Sequence, residues 1–146
     1  MRSISPCAIR ALPNRCRPGS ATALRRAGIY LGVVSNKNGD ILRKEVAHLG
    51  WEAHFGALVG AGDAARDKPA CEPLEMALAP SGVACGTEVW YVGDTGIDME
   101  CACAALCVPV LLRATPFEEA EFAAHPPQQR FSDPRQLLRF LGIAEN

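Results

Sequence analysis

Short, fully apolar runs set between helical stretches are the feature that most limits the folds open to this 146-residue chain. The run Ile29-Tyr30-Leu31-Gly32-Val33-Val34 is uninterrupted and rich in β-branched residues, the pattern of a strand buried on both faces and so of a parallel sheet. Glu88-Val89-Trp90-Tyr91-Val92 and residues 108–112 repeat it, and Ala57-Leu58-Val59-Gly60 is a weaker version. Between these runs the spacing predicts helices over 19–27, closed by Gly28, and over 40–49, with Ile41, Leu42, Val46 and Leu49 on one side and Gly50 at the end. Further helices are predicted over 69–78, with proline in the first turn, over 96–106, and over 134–141. Strands alternating with helices of this length make βαβ units, hence an α/β, Rossmann-like parallel sheet with helices on both faces.

Charge is distributed unevenly along the chain. No Asp or Glu precedes Asp40, while Arg2, Arg10, Arg15, Arg17, Arg25, Arg26 and Lys37 do, so the first 39 residues carry +7 and the rest −8. Chemistry that needs a carboxylate in the first quarter of the chain is thereby excluded. The acid-free start resembles an organellar transit peptide in composition, but Pro6, Pro13 and Pro18 would interrupt its amphipathic helix; residues 1–17 are expected to be a basic, disordered leader and 18–146 the folded core. No apolar run reaches the ~18 residues that span a bilayer, so no membrane association is expected. Seven cysteines, an odd number without a CxxC pair, argue against a disulfide scaffold and for a reducing, cytoplasmic location. Without aromatic residues interleaved among its arginines, the leader is expected to be a solvated tail with no nucleic-acid role.

In a parallel α/β sheet, ligands sit beyond the carboxyl ends of the strands, which directs attention to the corners that follow each run. Ser35-Asn36-Lys37 offers a hydroxyl, an amide and backbone donors at a helix entrance, suited to an anionic oxygen; helix capping is the plainer alternative. Asp94 and Asp98 follow a strand four residues apart, where two hard oxygens suit Mg²⁺; here too an N-cap and a first-turn acid are the plainer alternatives. Lys68, just before Pro69 at a helix start, is a cation where the helix dipole disfavours one unless an anion is near.

Taken in order, Val33-Val34-Ser35-Asn36-Lys37, then Lys68-Pro69, then Tyr91-Val92-Gly93-Asp94-Thr95-Gly96-Ile97-Asp98 resemble the haloacid dehalogenase superfamily, in particular its phosphoglycolate-phosphatase-like members. The resemblance covers residues 18–112 and implies Mg²⁺-dependent hydrolysis of a small phosphorylated substrate through an aspartyl-phosphate. It further implies that Ser35, with Asn36 beside it, bonds a phosphoryl oxygen, that Lys68 neutralises charge there, and that Asp94 and Asp98 hold the metal, Asp98 directly or as support.

The chain also departs from that family. The Asp-x-Asp-Gly-Thr motif that follows the family's first strand, with its nucleophile, is absent, as is the helical cap normally inserted after it. Residues 7–12 are a poor substitute strand, with Arg10 in the middle and one β-branched residue, so the sheet is expected to lack its first, central strand. The expectation is a carboxyl-side portion of a larger phosphatase, completed by a missing N-terminal portion or by self-association; the alternative is an inactive fragment of the fold or a binding or regulatory protein. Cys71 stands where relatives carry proline. Cys101, Cys103 and Cys107 read as small buried hydrophobes of an Ala-rich helix, with Cys103 and Cys107 on one face. Gly60-x-Gly62 lacks the third glycine of a dinucleotide site, and His48, His54 and His125 have no spaced metal-ligating partners.

Overall fold

A computed structural model of the chain describes residues 7–10 and 18–144. Within them six strands form one parallel sheet: β1 (Cys7–Arg10), β2 (Tyr30–Asn38), β3 (Ala57–Ala61), β4 (Val89–Gly93), β5 (Val108–Leu112) and β6 (Gln129–Phe131), in the order β3-β2-β1-β4-β5-β6. Five helices connect them: α1 (Pro18–Arg26), α2 (Gly39–His48), α3 (Glu72–Leu78), α4 (Gly96–Ala104) and α5 (Pro134–Leu141). The expected α/β class and parallel sheet are therefore present.

Alternation along the strands sorts the helices. Leu31 and Val33 of β2, Val92 of β4, and Val110 and Leu112 of β5 pack with α1, α2 and α5, while Val34, Val59, Val89 and Tyr91 pack with α3 and α4 on the other face. Successive strand side chains point to opposite faces, so a strand covered on both sides has to be apolar, as β4 and the Tyr30–Val34 part of β2 are, while β2 turns polar from Ser35 where it runs out to the rim.

The structure corrects several expectations. The central position is not missing: Cys7–Arg10 fills it, pairing with β2 on one side and β4 on the other, although it lies in the stretch expected to be a leader. Two parallel ladders on either side supply hydrogen bonds that its modest β-propensity does not advertise. β6 was not expected; it is three residues long, and the period-two signal needs more than that. Helix α3 begins at Glu72, so Lys68 lies on the preceding turn, with a cis Lys68–Pro69 peptide. Ile41 and Leu49 are exposed whereas Leu42 and Val46 are buried, a narrower apolar stripe than the one expected. Cys107 falls after α4, beyond Leu106 at φ 60°, and it is Cys101 and Cys107, not Cys103, that are buried.

Close approach explains one glycine. Gly60, near the end of β3, sits so near the β2–α2 junction that a Cβ would collide with the Gly39 Cα and the Lys37 carbonyl oxygen, both backbone atoms. Gly60→Ala should destabilise the chain by about 2 kcal/mol or more, the scale of an overpacked site that cannot relax; urea unfolding of the two proteins measures the difference.

Candidate functional site

Because every strand runs the same way, the corners after β2, β3 and β4 lie on one rim. Arg10 of β1 is level with Val33 on one side and Val92 on the other. Ser35 and Asp94 each follow those partners by two residues, so they flank the end of the central strand.

Asp98 organises the rim. It is 2% exposed, and both of its oxygens are engaged. Oδ1 accepts from Lys68 Nζ at 2.7 Å and from the Tyr91 hydroxyl at 3.1 Å. Oδ2 accepts from the Asp94 N–H at 3.1 Å, the Thr95 N–H at 3.2 Å and the Thr95 hydroxyl at 3.0 Å. Thr95 is the N-cap of α4, with Asp98 completing a capping box, so neither Asp94 nor Asp98 is the cap itself. The Thr-x-x-Asp spacing carried that signal in the sequence. Gly93 is needed for the same packing, since a Cβ there would run into the Asp98 carboxyl.

Burial alone would raise the pKa of Asp98, but the Lys68 charge and hydrogen bond, with Thr95 and the Asp94 amide, hold it below the ordinary carboxylate value. Asp94 goes the other way: half-buried, it is raised by desolvation and by the neighbouring Asp98 charge, which outweigh Lys68. Tyr91 is pushed well above the usual phenol value, first by burial and then by Asp98.

The structure thus brings Lys68, Asp94 and Asp98 together, with Ser35 across the central strand. The Ser35 hydroxyl accepts from the Lys37 N–H at 3.1 Å, and Asn36 is exposed. The cap of α2 is Asn38, one residue beyond the expected corner, because β2 continues to that point. Asp63, after β3, is taken up by Arg43, at 2.8 and 3.2 Å, and by the Gly60 N–H, at 2.8 Å. Lys37 is paired with Glu45 at 2.6 Å. Tyr91 and Thr95 stand in the quoted motif without a role of their own, and Arg113, which donates to the Asp94 carbonyl at 3.3 Å, is outside it.

As a metal site the rim is sparse. The described residues hold no group of three or more His, Cys, Asp or Glu that could cage an ion, and Asp98 has its oxygens occupied. Asp94 remains as one hard, partly exposed oxygen ligand. That fits Mg²⁺, which keeps several waters and is commonly held by one or two carboxylates and a phosphate.

The parallel sheet and the order of the residues at its rim fit the haloacid dehalogenase-like family. The chain belongs to that family: residues 21–110, more than half of its length, match the haloacid dehalogenase-like hydrolases. Among curated proteins it is 30% identical over 122 residues to a phosphoglycolate phosphatase of Salmonella paratyphi A, covering 83% of this chain and 48% of that protein. It is 37% identical over 83 residues to the phosphoglycolate phosphatase of Xylella fastidiosa, covering 57% of this chain and 36% of that one. The chain spans about half the length, or less, of these curated relatives. Among solved structures, a HAD-superfamily hydrolase from Ehrlichia chaffeensis superimposes with a TM-score of 0.73 at 27% identity, covering 84% of this chain and 54% of that one. A HAD phosphatase from Thermococcus onnurineus shares the fold, with a TM-score of 0.74 at 20% identity, over 87% of this chain and 57% of that one. No helix among the described residues is long and apolar enough to cross a membrane.

Three outcomes follow from the Asp98 cluster. Lys68→Met leaves a buried carboxylate without its counter-charge and should cost about 3–5 kcal/mol in urea unfolding. A carboxyl with a depressed folded-state pKa stabilises the fold above its unfolded value, near 4, and that stabilisation is lost as pH falls through the folded value. Thermal melts of the wild type should therefore fall off on acidification below about pH 4 more steeply than those of Asp98→Asn. Asp94, with a raised pKa, opposes folding once ionised, so Asp94→Asn should raise the melting temperature at pH 7 without metal.

Proposed function

We propose that this chain forms the phosphate- and Mg²⁺-binding half of a haloacid-dehalogenase-type phosphatase site, of the phosphoglycolate-phosphatase-like kind, acting on a small phosphate monoester. The observation that carries this reading is the buried Lys68–Asp98 pair, 2.7 Å long, set beside Asp94 at the end of β4 with Ser35 across β1. Asp98 holds Lys68 in place, and Tyr91 and the capping amides hold Asp98.

In this site the Ser35 hydroxyl donates to one phosphoryl oxygen, with the Asn36 amide beside it as a further donor. The Lys68 ammonium, one of whose three N–H groups goes to Asp98, neutralises charge on the phosphoryl group. A Mg²⁺ ion, when bound at Asp94, supplies Lewis-acid charge to the phosphoryl oxygens. Asp98, with both oxygens occupied, supports Lys68 and the Asp94 loop and is not itself a metal ligand.

A second reading, a chain that binds Mg²⁺ and phosphate without turnover, draws on one observation. Residues 11–17, which follow the central strand where the family carries its nucleophile, contain no Asp or Glu. Inorganic phosphate with Mg²⁺ should raise the melting temperature of the purified chain, and Lys68→Met or Asp94→Asn should abolish the rise; no rise in the wild type would refute both readings. Hydrolysis of p-nitrophenyl phosphate that requires Mg²⁺ and is lost in Asp94→Asn selects the phosphatase, and binding without hydrolysis selects the second reading.

A further inference from the structure

Beyond β5 the chain forms a strap that returns to the β4–α4 loop. Its first residue, Arg113, is only 24% exposed and spends its guanidinium on several partners. Nε donates to Thr115 Oγ1 at 3.0 Å and Nη2 to the Pro116 carbonyl at 3.3 Å. Nη1 donates to both oxygens of Glu121, at 3.0 and 3.2 Å, and to the carbonyl oxygen of Asp94 at 3.3 Å. The guanidinium also stands 5.7 Å from the centre of the Phe117 ring, whose T-shaped contact with buried Phe122 ties the strap to the core. A second contact runs parallel: the Glu121 carbonyl lies so close to Gly96, at the start of α4, that a Cβ there would stand 3.0 Å from it.

The bond to Asp94 matters because of which peptide unit it grips. The carbonyl of Asp94 and the N–H of Thr95 belong to one planar peptide group. Arg113 holds the carbonyl end and Asp98 Oδ2 holds the N–H end, at 3.2 Å. A plane clamped at both ends cannot swing, and its orientation sets the direction in which the Asp94 side chain leaves the backbone. The Asp94 N–H is fixed as well, again by Asp98.

We propose that Arg113 is a positioning residue of the site: by clamping the Asp94–Thr95 peptide against Asp98 it fixes the aim of the Asp94 carboxylate. The role for Asp94 rests on the function proposed above; the clamp does not. The bond also draws electron density toward the Asp94 carbonyl and makes the Thr95 N–H a better donor to Asp98, which couples Arg113 to the Lys68 pair through a single peptide group.

The test compares the wild type, Arg113→Met, Arg113→Lys and Glu119→Gln. Glu119→Gln serves as the control, because it cuts the strap's outer pair to Arg130 and touches neither Arg113 nor Asp94. Amide hydrogen exchange read by NMR should show Thr95 exchanging at least tenfold faster in Arg113→Met, with β2 and β4 amides unchanged. Arg113→Lys should recover part of the protection, and Glu119→Gln should match the wild type. Unchanged Thr95 exchange in Arg113→Met overturns the proposal, and so does equal acceleration in Glu119→Gln, which would mean that any loosening of the strap suffices. In a second arm, Mn²⁺ affinity by electron paramagnetic resonance should fall 10–100-fold in Arg113→Met, the usual effect of removing a group that orients a metal ligand. If the wild type binds no Mn²⁺, the metal reading of Asp94 fails, and the exchange arm still decides the clamp.

Discussion

The carboxylate of Asp98 is the interaction on which the rim depends. It is a charge taken almost wholly out of water, which is tolerable only with a counter-charge and a full set of donors. Lys68 arrives from the turn before α3, Tyr91 from β4, and Thr95 with its own and its neighbour's amides from the first turn of α4. One side chain thereby joins the turn before α3, thirty residues away, to β4 and the start of its own helix, and satisfying it determines where Lys68 and Asp94 stand. Gly93 follows from the same constraint, since the carboxyl occupies the space a Cβ would take.

Two carboxylates four residues apart acquire opposite characters from this arrangement. Asp98 is kept ionised by Lys68 and the donors around it, against the effect of its burial, and acts as scaffold. Asp94, close to that charge and half-buried, is raised and would be relieved by a cation. Pairs of acids whose surroundings push their pKa values apart recur at functional sites. In the function proposed above, scaffold and ligand are separate tasks carried by separate residues.

Much of the fold was legible in the chain. β4 and the covered part of β2, Tyr30 to Val34, announced themselves because strand segments covered on both faces must be apolar, and α5 and β5 because pattern and boundaries agree. Ser35, Asp94 and Asp98 marked the rim because strand ends in a parallel sheet share one edge, while Lys68 stood out as a cation at an expected helix start. What stayed hidden was set by partners remote in sequence. Cys7–Arg10 is a strand because two ladders flank it, and β6 is too short to show a period. Ile41 and Leu49 have the right spacing for a core stripe, but among the described residues nothing packs over them closely enough to bury them.

The sequence by itself determined the class of fold, the family pattern and the identity of the polar residues at the strand ends, because periodicity and spacing are local properties. It also determined that no carboxylate precedes Asp40. Only the tertiary structure decided which residue fills the centre of the sheet, which aspartate is anchored and which is left partly exposed, and that Arg113 grips the Asp94 peptide from nineteen residues away. Those outcomes depend on which donors meet which acceptors once the sheet has closed, and hydrogen bonds between distant segments leave no periodic trace in the chain that makes them.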